Sequence, residues 1–188
     1  MKLIKTISFS LIAMGLSINQ VMAEDYVIDT KGAHASVQFK ASHLGYSYVI
    51  GRFNTFEGTF SYDENDPAAS SVNVTIDATS VDTNHAERDK HLRSSDFLET
   101  DTHPIISFIS TGVAPGTEND MAITGDLSIH GITKSVVLDV VQIGNGKDPW
   151  GGYRRGFEGT TTVAVENFGL PEWVGEIEIT VIAEGILQ

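Results

Sequence analysis

The chain has 188 residues, of which 41% are hydrophobic, a length and composition suited to one domain with a sizeable core. Its 12 Lys and Arg against 25 Asp and Glu give a net charge of -13, the reverse of the basic footprint that a phosphate backbone demands, so the sequence predicts no nucleic-acid partner. The absence of cysteine excludes a disulfide framework, a thiolate nucleophile and a zinc site of the finger or ribbon type.

Residues 1–23 carry Lys2 and Lys5, continue through an apolar stretch from Ile7 to Leu16, and close on Val21, Met22 and Ala23. Charge, apolar core and small-residue exit in that order make a secretory signal peptide, which predicts cleavage after Ala23 and an exported product. A membrane anchor needs about 18 or more uninterrupted apolar residues. Ser17, Asn19 and Gln20 interrupt this stretch too early. Cleavage removes two lysines and no acid, leaving residues 24–188 as a still more acidic domain.

From Glu24 onward apolar residues recur at every second position, which places alternate side chains on opposite faces of a strand. Val72, Val74 and Ile76 alternate with Asn73, Thr75 and Asp77; Ile177, Ile179 and Val181 alternate with Glu176, Glu178 and Thr180. Weaker alternation covers 35–40, 51–62, 105–111, 121–129, 136–143 and 157–165. Strand breakers separate these runs at Asp63-Glu64-Asn65-Asp66-Pro67, Ala114-Pro115-Gly116 and Gly144-Asn145-Gly146. About eight or nine strands in succession, with almost no helix between them, predict an all-β antiparallel sandwich or barrel. Alternation alone does not choose between the two.

One gap differs from the rest. Between Ala78 and Ile105, Asn84 and Glu87 have the N-cap and N3 spacing of a capping box, and His85, Asp89 and Leu92 then fall roughly on one helical face. A helix of about ten residues is marginal alone and must dock against the strands. A long structured excursion from an all-β body is where a lid over an opening sits.

Catalytic chemistry has no positive signal. His34, His43, His85, His91, His103 and His130 show no HExxH spacing, so no metal site is predicted. The acidic run from Asp63 to Asp66 lacks the central glycine and terminal glutamate of a calcium loop and reads as a solvated turn. The chain carries neither a G-x-S-x-G elbow nor a nucleotide-binding glycine motif, and no cofactor is expected. Asn73-Val74-Thr75 matches a glycosylation sequon but falls within a predicted strand.

Four motifs occur together and in order: Val37-Gln38-Phe39-Lys40-Ala41-Ser42-His43-Leu44-Gly45, Gly51-Arg52-Phe53-Asn54-Thr55-Phe56-Glu57-Gly58, Arg88-Asp89-Lys90-His91-Leu92, and Gly125 to Lys134. Through this ordered set the chain closely resembles the YceI family over nearly all of its mature length. The resemblance implies a lipocalin-like, eight-stranded antiparallel barrel that encloses a long hydrophobic chain, a polyisoprenoid or isoprenoid quinone, in the periplasm. It also implies a non-enzymatic role and allows a homodimer. The family pattern commonly has an arginine and an aspartate just before Phe168-Gly169, where this chain has Val165 and Asn167, and the stretch from Leu170 to Gly175 looks short.

On a closed barrel, strand alternation predicts that Val37, Phe39, Phe53, Val74, Ile76, Phe108, Leu127 and Leu138 face inward and touch the ligand. The excursion from Thr83 to Phe97 is then a lid, with Leu92 and Phe97 sealing the mouth. Its charged side, with Arg88, Asp89 and His91, is expected to hold the closed position and meet the ligand head group. Two other readings compete with carriage of a lipid. One is an exported lipid-modifying enzyme with His91 and Asp89 as an acid-base pair; the other is a stress-responsive structural protein with a solid core and no ligand.

Overall fold

The computed structural model describes residues 23–188; the proposed signal segment, residues 1–23, lies outside them except for Ala23. The strands are β1 (Glu24–Ile28), β2 (Ser36–His43), β3 (Ser47–Phe53), β4 (Phe56–Tyr62), β5 (Ser71–Asp77), β6 (Val81–Asp82), β7 (Ile105–Pro115), β8 (Asp120–Ile129), β9 (Ile132–Lys147), β10 (Tyr153–Ala164) and β11 (Glu176–Leu187). Among the described residues a single α-helix, α1 (Ala86–Arg93), interrupts them between β6 and β7.

All pairings between neighbouring strands are antiparallel, in the order β1-β4-β5-β7-β8-β9-β10-β11, and β1 pairs with β11 to close the ring at eight strands. Closure removes both edges of this eight-stranded ring, whereas the β2–β3–β6 extension ends in an edge, β6 pairing with β3 alone through Asp82 and Val81. The remaining three strands extend the wall. Strand β11 pairs with β1 through residues 185–187 and with β2 through 177–182, while β3 pairs with β2 and β6. β1–β2, β3–β4 and β5–β6 thus each serve as one long, broken strand of the barrel.

The sequence pattern places one strand over 51–62, and the structure divides it at Asn54 and Thr55. There the backbone N–H of Asn54 turns to the Ser80 carbonyl (3.2 Å) and that of Thr55 to Ser80 Oγ (3.0 Å), so the chain bends as it changes partners. A second correction concerns Gly144-Asn145-Gly146, which does not break the chain but lies inside β9, opposite Gly156, Arg155 and Arg154. The register shifts beside it, between Gly156 and Phe157, as a bulge that absorbs the flexible glycines.

The helix also starts differently from its sequence signal. His85, not Asn84, is the N-cap, its Nδ1 accepting from the Arg88 N–H at 3.2 Å. Asn84 instead takes a left-handed conformation at φ 59°, which Asn tolerates better than most residues.

Chain direction assigns the connections to two ends. At one end lie the β2–β3 turn, the excursion from 83 to 104, the His130-Gly131 turn and the segment 165–175; at the other lie the segments 63–70, 116–119 and 148–152. The second end is plugged. Tyr26 and Phe60 stack at 4.8 Å, Phe157 meets Phe60 edge to face at 5.4 Å, and the buried Arg155 guanidinium lies 4.4 Å over the Tyr62 ring. Arg155 ion-pairs with Glu64 and reaches Tyr26 Oη at 3.3 Å, so its charge is compensated inside the floor. Burial pushes the Tyr26 hydroxyl up to about 12, keeping it neutral beside this pair.

Candidate functional site

Between floor and mouth the barrel is hollow. The cavity has a volume of about 660 Å³, within the range of small-molecule and cofactor sites, and its walls are overwhelmingly apolar. Val37 and Phe39 on β2, Phe53 on β3, Val74 and Ile76 on β5, Phe108 on β7, Leu127 on β8 and Leu138 on β9 all stand on the wall. The structure adds residues that the sequence reading did not place among the ligand contacts, among them Ile177, Ile179 and Val181 on β11 and Ile106 on β7. Their alternation was visible; only barrel closure says that all these faces meet in one space.

The wall stays open in the middle because aromatic rings fold against it. Phe39 pairs across the sheet with Gly51, and a β-carbon at Gly51 would overlap the Phe39 ring. The ring therefore lies flat over the glycine instead of projecting across the lumen. Phe108 uses Gly125 in the same way.

At the mouth, Leu92, Phe97 and Leu98 from the excursion, Leu44 from the β2–β3 turn, and Leu170 and Trp173 from segment 165–175 complete the apolar lining. His91 packs edge to face on Phe97 (4.8 Å), and Phe97 on Trp173 (5.8 Å), so an aromatic file joins the excursion to the facing segment. Val165 is buried at 3% exposure and lines the cavity, whereas Asn167 is exposed. Where the resemblance led one to expect an arginine, the mouth thus presents an aliphatic surface.

The predicted charged latch divides into two roles. Arg88 borders the cavity while its Nε donates to Thr83 Oγ1 (2.7 Å) and an Nη to the Thr83 carbonyl (2.8 Å). Asp89 lies away from the cavity lining. Its buried carboxylate accepts from the Thr83 N–H at 2.8 Å and from the Thr83 hydroxyl, fastening the start of the helix to the end of β6. This separates it from His91, which borders the cavity and sits 3.5 Å from Asp96. Two residues apart on a helix, Asp89 and His91 project in different directions, and the acid-base pair of the enzyme reading is not assembled.

Among the described residues, two clusters have metal-ligating atoms within 4.8 Å of one another: Glu99 with His103 and His130, and Asp29 with His34 and Glu184. The second already holds a cation, since the Arg154 guanidinium bonds Asp29 at 2.7 Å and Glu184 as well. Sequence spacing gave no sign of the first, because His130 comes from a hairpin turn far along the chain from Glu99 and His103.

Residues 26–185 match the YceI-like domain. The chain belongs to this family. Among its relatives, a UPF0312 protein of Shewanella denitrificans is 52% identical over 172 residues, 89% of this chain and 90% of that one. Another, from Shewanella sp. strain ANA-3, is 51% identical over 168 residues, covering 87% and 88%. Solved YceI-like barrels include Burkholderia cenocepacia BcnA (TM-score 0.75, 23% identity, 84% of this chain and 98% of that one). The Campylobacter jejuni YceI protein gives 0.71 at 25% identity, covering 78% and 90%. A polyisoprenoid-binding domain from Saccharophagus degradans gives 0.64 at 13% identity, covering 89% and 100%. The eight-stranded YceI-like barrel is therefore the fold of this chain.

Proposed function

We propose that this protein is a periplasmic carrier that holds one long-chain isoprenoid lipid or isoprenoid quinone inside the barrel, tail toward the Arg155 floor and head group at the mouth. The observation that carries this reading is the apolar cavity of about 660 Å³, with the aromatic cluster around Phe60, Tyr62 and Phe157 at one end and Leu92, Phe97 and Trp173 lining the other. The polyisoprenoid-binding domain that shares the fold supports the ligand class. Export rests on the signal-peptide pattern of residues 1–23, with the mature chain starting at Glu24.

Each buried methylene contributes about 0.8 kcal/mol, so a chain of some forty carbons nominally gains about 30 kcal/mol. Non-covalent affinity saturates near about 18–21 kcal/mol, and ordering of the chain absorbs the difference. Selectivity then follows how much chain the cavity encloses more than the identity of the head group.

The test is extraction of the purified mature protein with organic solvent, followed by mass spectrometry. Unmodified isoprenoid lipid at close to one molecule per chain is the expected result. Conversion of added lipid to a product would favour an enzyme, and an empty extract together with no uptake of added isoprenoid would favour a ligand-free structural role.

A further inference from the structure

The mouth carries a second arrangement that lipid binding leaves unused. Glu99 and His103 follow α1 in the excursion, and His130 forms the turn between β8 and β9. His130 Nε2 lies 3.4 Å from Glu99 Oε2, His103 Nε2 lies 3.9 Å from the same oxygen, and the two imidazoles meet edge to face at 4.8 Å. Donor atoms arranged tetrahedrally at zinc bond lengths stand about 3.4 Å apart. The His130–Glu99 pair already has that spacing, the His103–Glu99 pair at 3.9 Å needs a small side-chain adjustment, and all three donor atoms lie within 4.8 Å of one another.

The hydrogen bonding of His130 sharpens the point. Its Nδ1 lies 3.2 Å from the Phe168 carbonyl, which only accepts, so Nδ1 carries the proton. In the neutral ring Nε2 then presents a lone pair to the Glu99 carboxylate. That lone pair and the carboxylate, 3.4 Å apart, are both oriented to coordinate a cation placed between them. A histidine whose far nitrogen donates to a backbone carbonyl is also the arrangement that orients metal-ligating imidazoles.

The turn itself is built around the ring. His130 and Gly131 both take left-handed conformations, at φ 52° and 73°, as a two-residue type I′ hairpin requires. Asn-Gly is the preferred pair for that turn, and here an imidazole stands in place of the amide. A β-carbon at Gly131 would sit 2.7 Å from His103 Cε1, so the glycine also makes room for the second ring.

We propose that Glu99, His103 and His130 bind one divalent transition-metal ion of the zinc type. Two imidazoles and one carboxylate suit Zn2+, and three protein ligands leave a fourth position for water. The ion ties the excursion to the β8–β9 turn, with Phe168 as the outer support of His130. Its binding does not depend on what fills the barrel.

Calorimetric titration of the untagged mature protein with Zn2+, with Co2+ absorption reporting the coordination number, tests the site. The expected result is one ion per chain, a four-coordinate Co2+ spectrum, and a melting temperature raised by about 5–10 °C at a hundredfold excess over Kd. His130→Asn keeps a turn-compatible residue, and His103→Gln keeps a polar side chain of similar size. Each should weaken binding at least tenfold while melting, without metal, close to the parent; His34→Ala should leave binding unchanged. Absence of stoichiometric binding overturns the proposal. So does binding that His130→Asn and His103→Gln leave intact, because the ion then sits elsewhere.

Discussion

Phe97 of the excursion and Trp173 of the segment before β11 meet edge to face at 5.8 Å across the top of the cavity. Trp173 is 75% exposed, so the contact that joins the two halves of the cover has solvent on its outer side. A gate closed this way alters rates more than equilibria, because opening it leaves the buried chain contacts unchanged. Replacing Trp173 with alanine is expected to speed transfer of a fluorescent isoprenoid to lipid vesicles by about two- to tenfold, since an aromatic pair contributes about 0.5–1.5 kcal/mol. Affinity should change less. Stopped-flow transfer measured beside equilibrium binding checks this, and equal rates in parent and variant would locate the exit path elsewhere.

Phe39 and Gly51 set the width of the lumen. In Gly51→Val the Phe39 ring must leave the wall and turn into the cavity, because the new β-carbon would occupy its present place. The expected outcome is a barrel that folds with a loss of about 1–3 kcal/mol and carries less lipid, or lipid with shorter chains. Mass spectrometry of the bound fraction reads this directly; an unchanged chain-length profile would show that the ligand does not reach the level of Phe39.

These two pairs also show what the sequence could and could not disclose. Inward positions such as Val74, Ile76 and Leu127 were legible because a period of two is a local property of a strand. The Phe39–Gly51 contact was not, since it depends on the β2–β3 register. Neither was the floor: Arg155 lies on the same face of β10 as Phe157, but a charge there departs from the apolar pattern, and only the approach of Glu64, Tyr26 and Tyr62 explains how it is tolerated. Asp89 was grouped with Arg88 by adjacency in sequence, but only Arg88 borders the cavity. A helix turns about 100° per residue, so adjacent residues take different surroundings.

Acid should loosen the plugged end. The Arg154 guanidinium, bonded to Asp29 at 2.7 Å, and the Gly32 N–H hold the Asp29 carboxyl down at about 2, against 3.8 ordinarily. A group depressed on folding stabilises the native state above its unfolded value and loses that contribution as pH falls through its folded value. The Asp29 contribution is therefore complete above about pH 5 and fades between about pH 4 and 2. Thermal melts across this range should show a steep fall in Tm for the parent. Asp29→Asn should start lower at pH 7, by about 3–10 °C, and show a shallower fall. Parallel curves for the two proteins would assign the acid sensitivity to other carboxylates, such as Asp148, which Arg154 also holds low.

Arg88 and Asp89 are adjacent, carry opposite charges and both grip Thr83, yet their substitutions should separate. Asp89→Ala removes the acceptor of the buried Thr83 N–H and hydroxyl, leaving those donors without their partner, and is expected to cost about 1–3 kcal/mol. Arg88→Ala deletes donors to a hydroxyl and a carbonyl, but the side chain is only half-buried, so stability should fall by about 1 kcal/mol or less. Because Arg88 borders the cavity and Asp89 does not, ligand effects should run the other way. The Arg88 variant is expected to release a charged or polar-headed isoprenoid faster at nearly parental Tm. The Asp89 variant should melt several degrees lower and, well below its Tm, bind with parental affinity. Denaturant unfolding and vesicle transfer on the two single variants distinguish these outcomes. Equal release rates at matched stability would mean that Arg88 serves the helix alone and that the head group is met by other residues of the mouth.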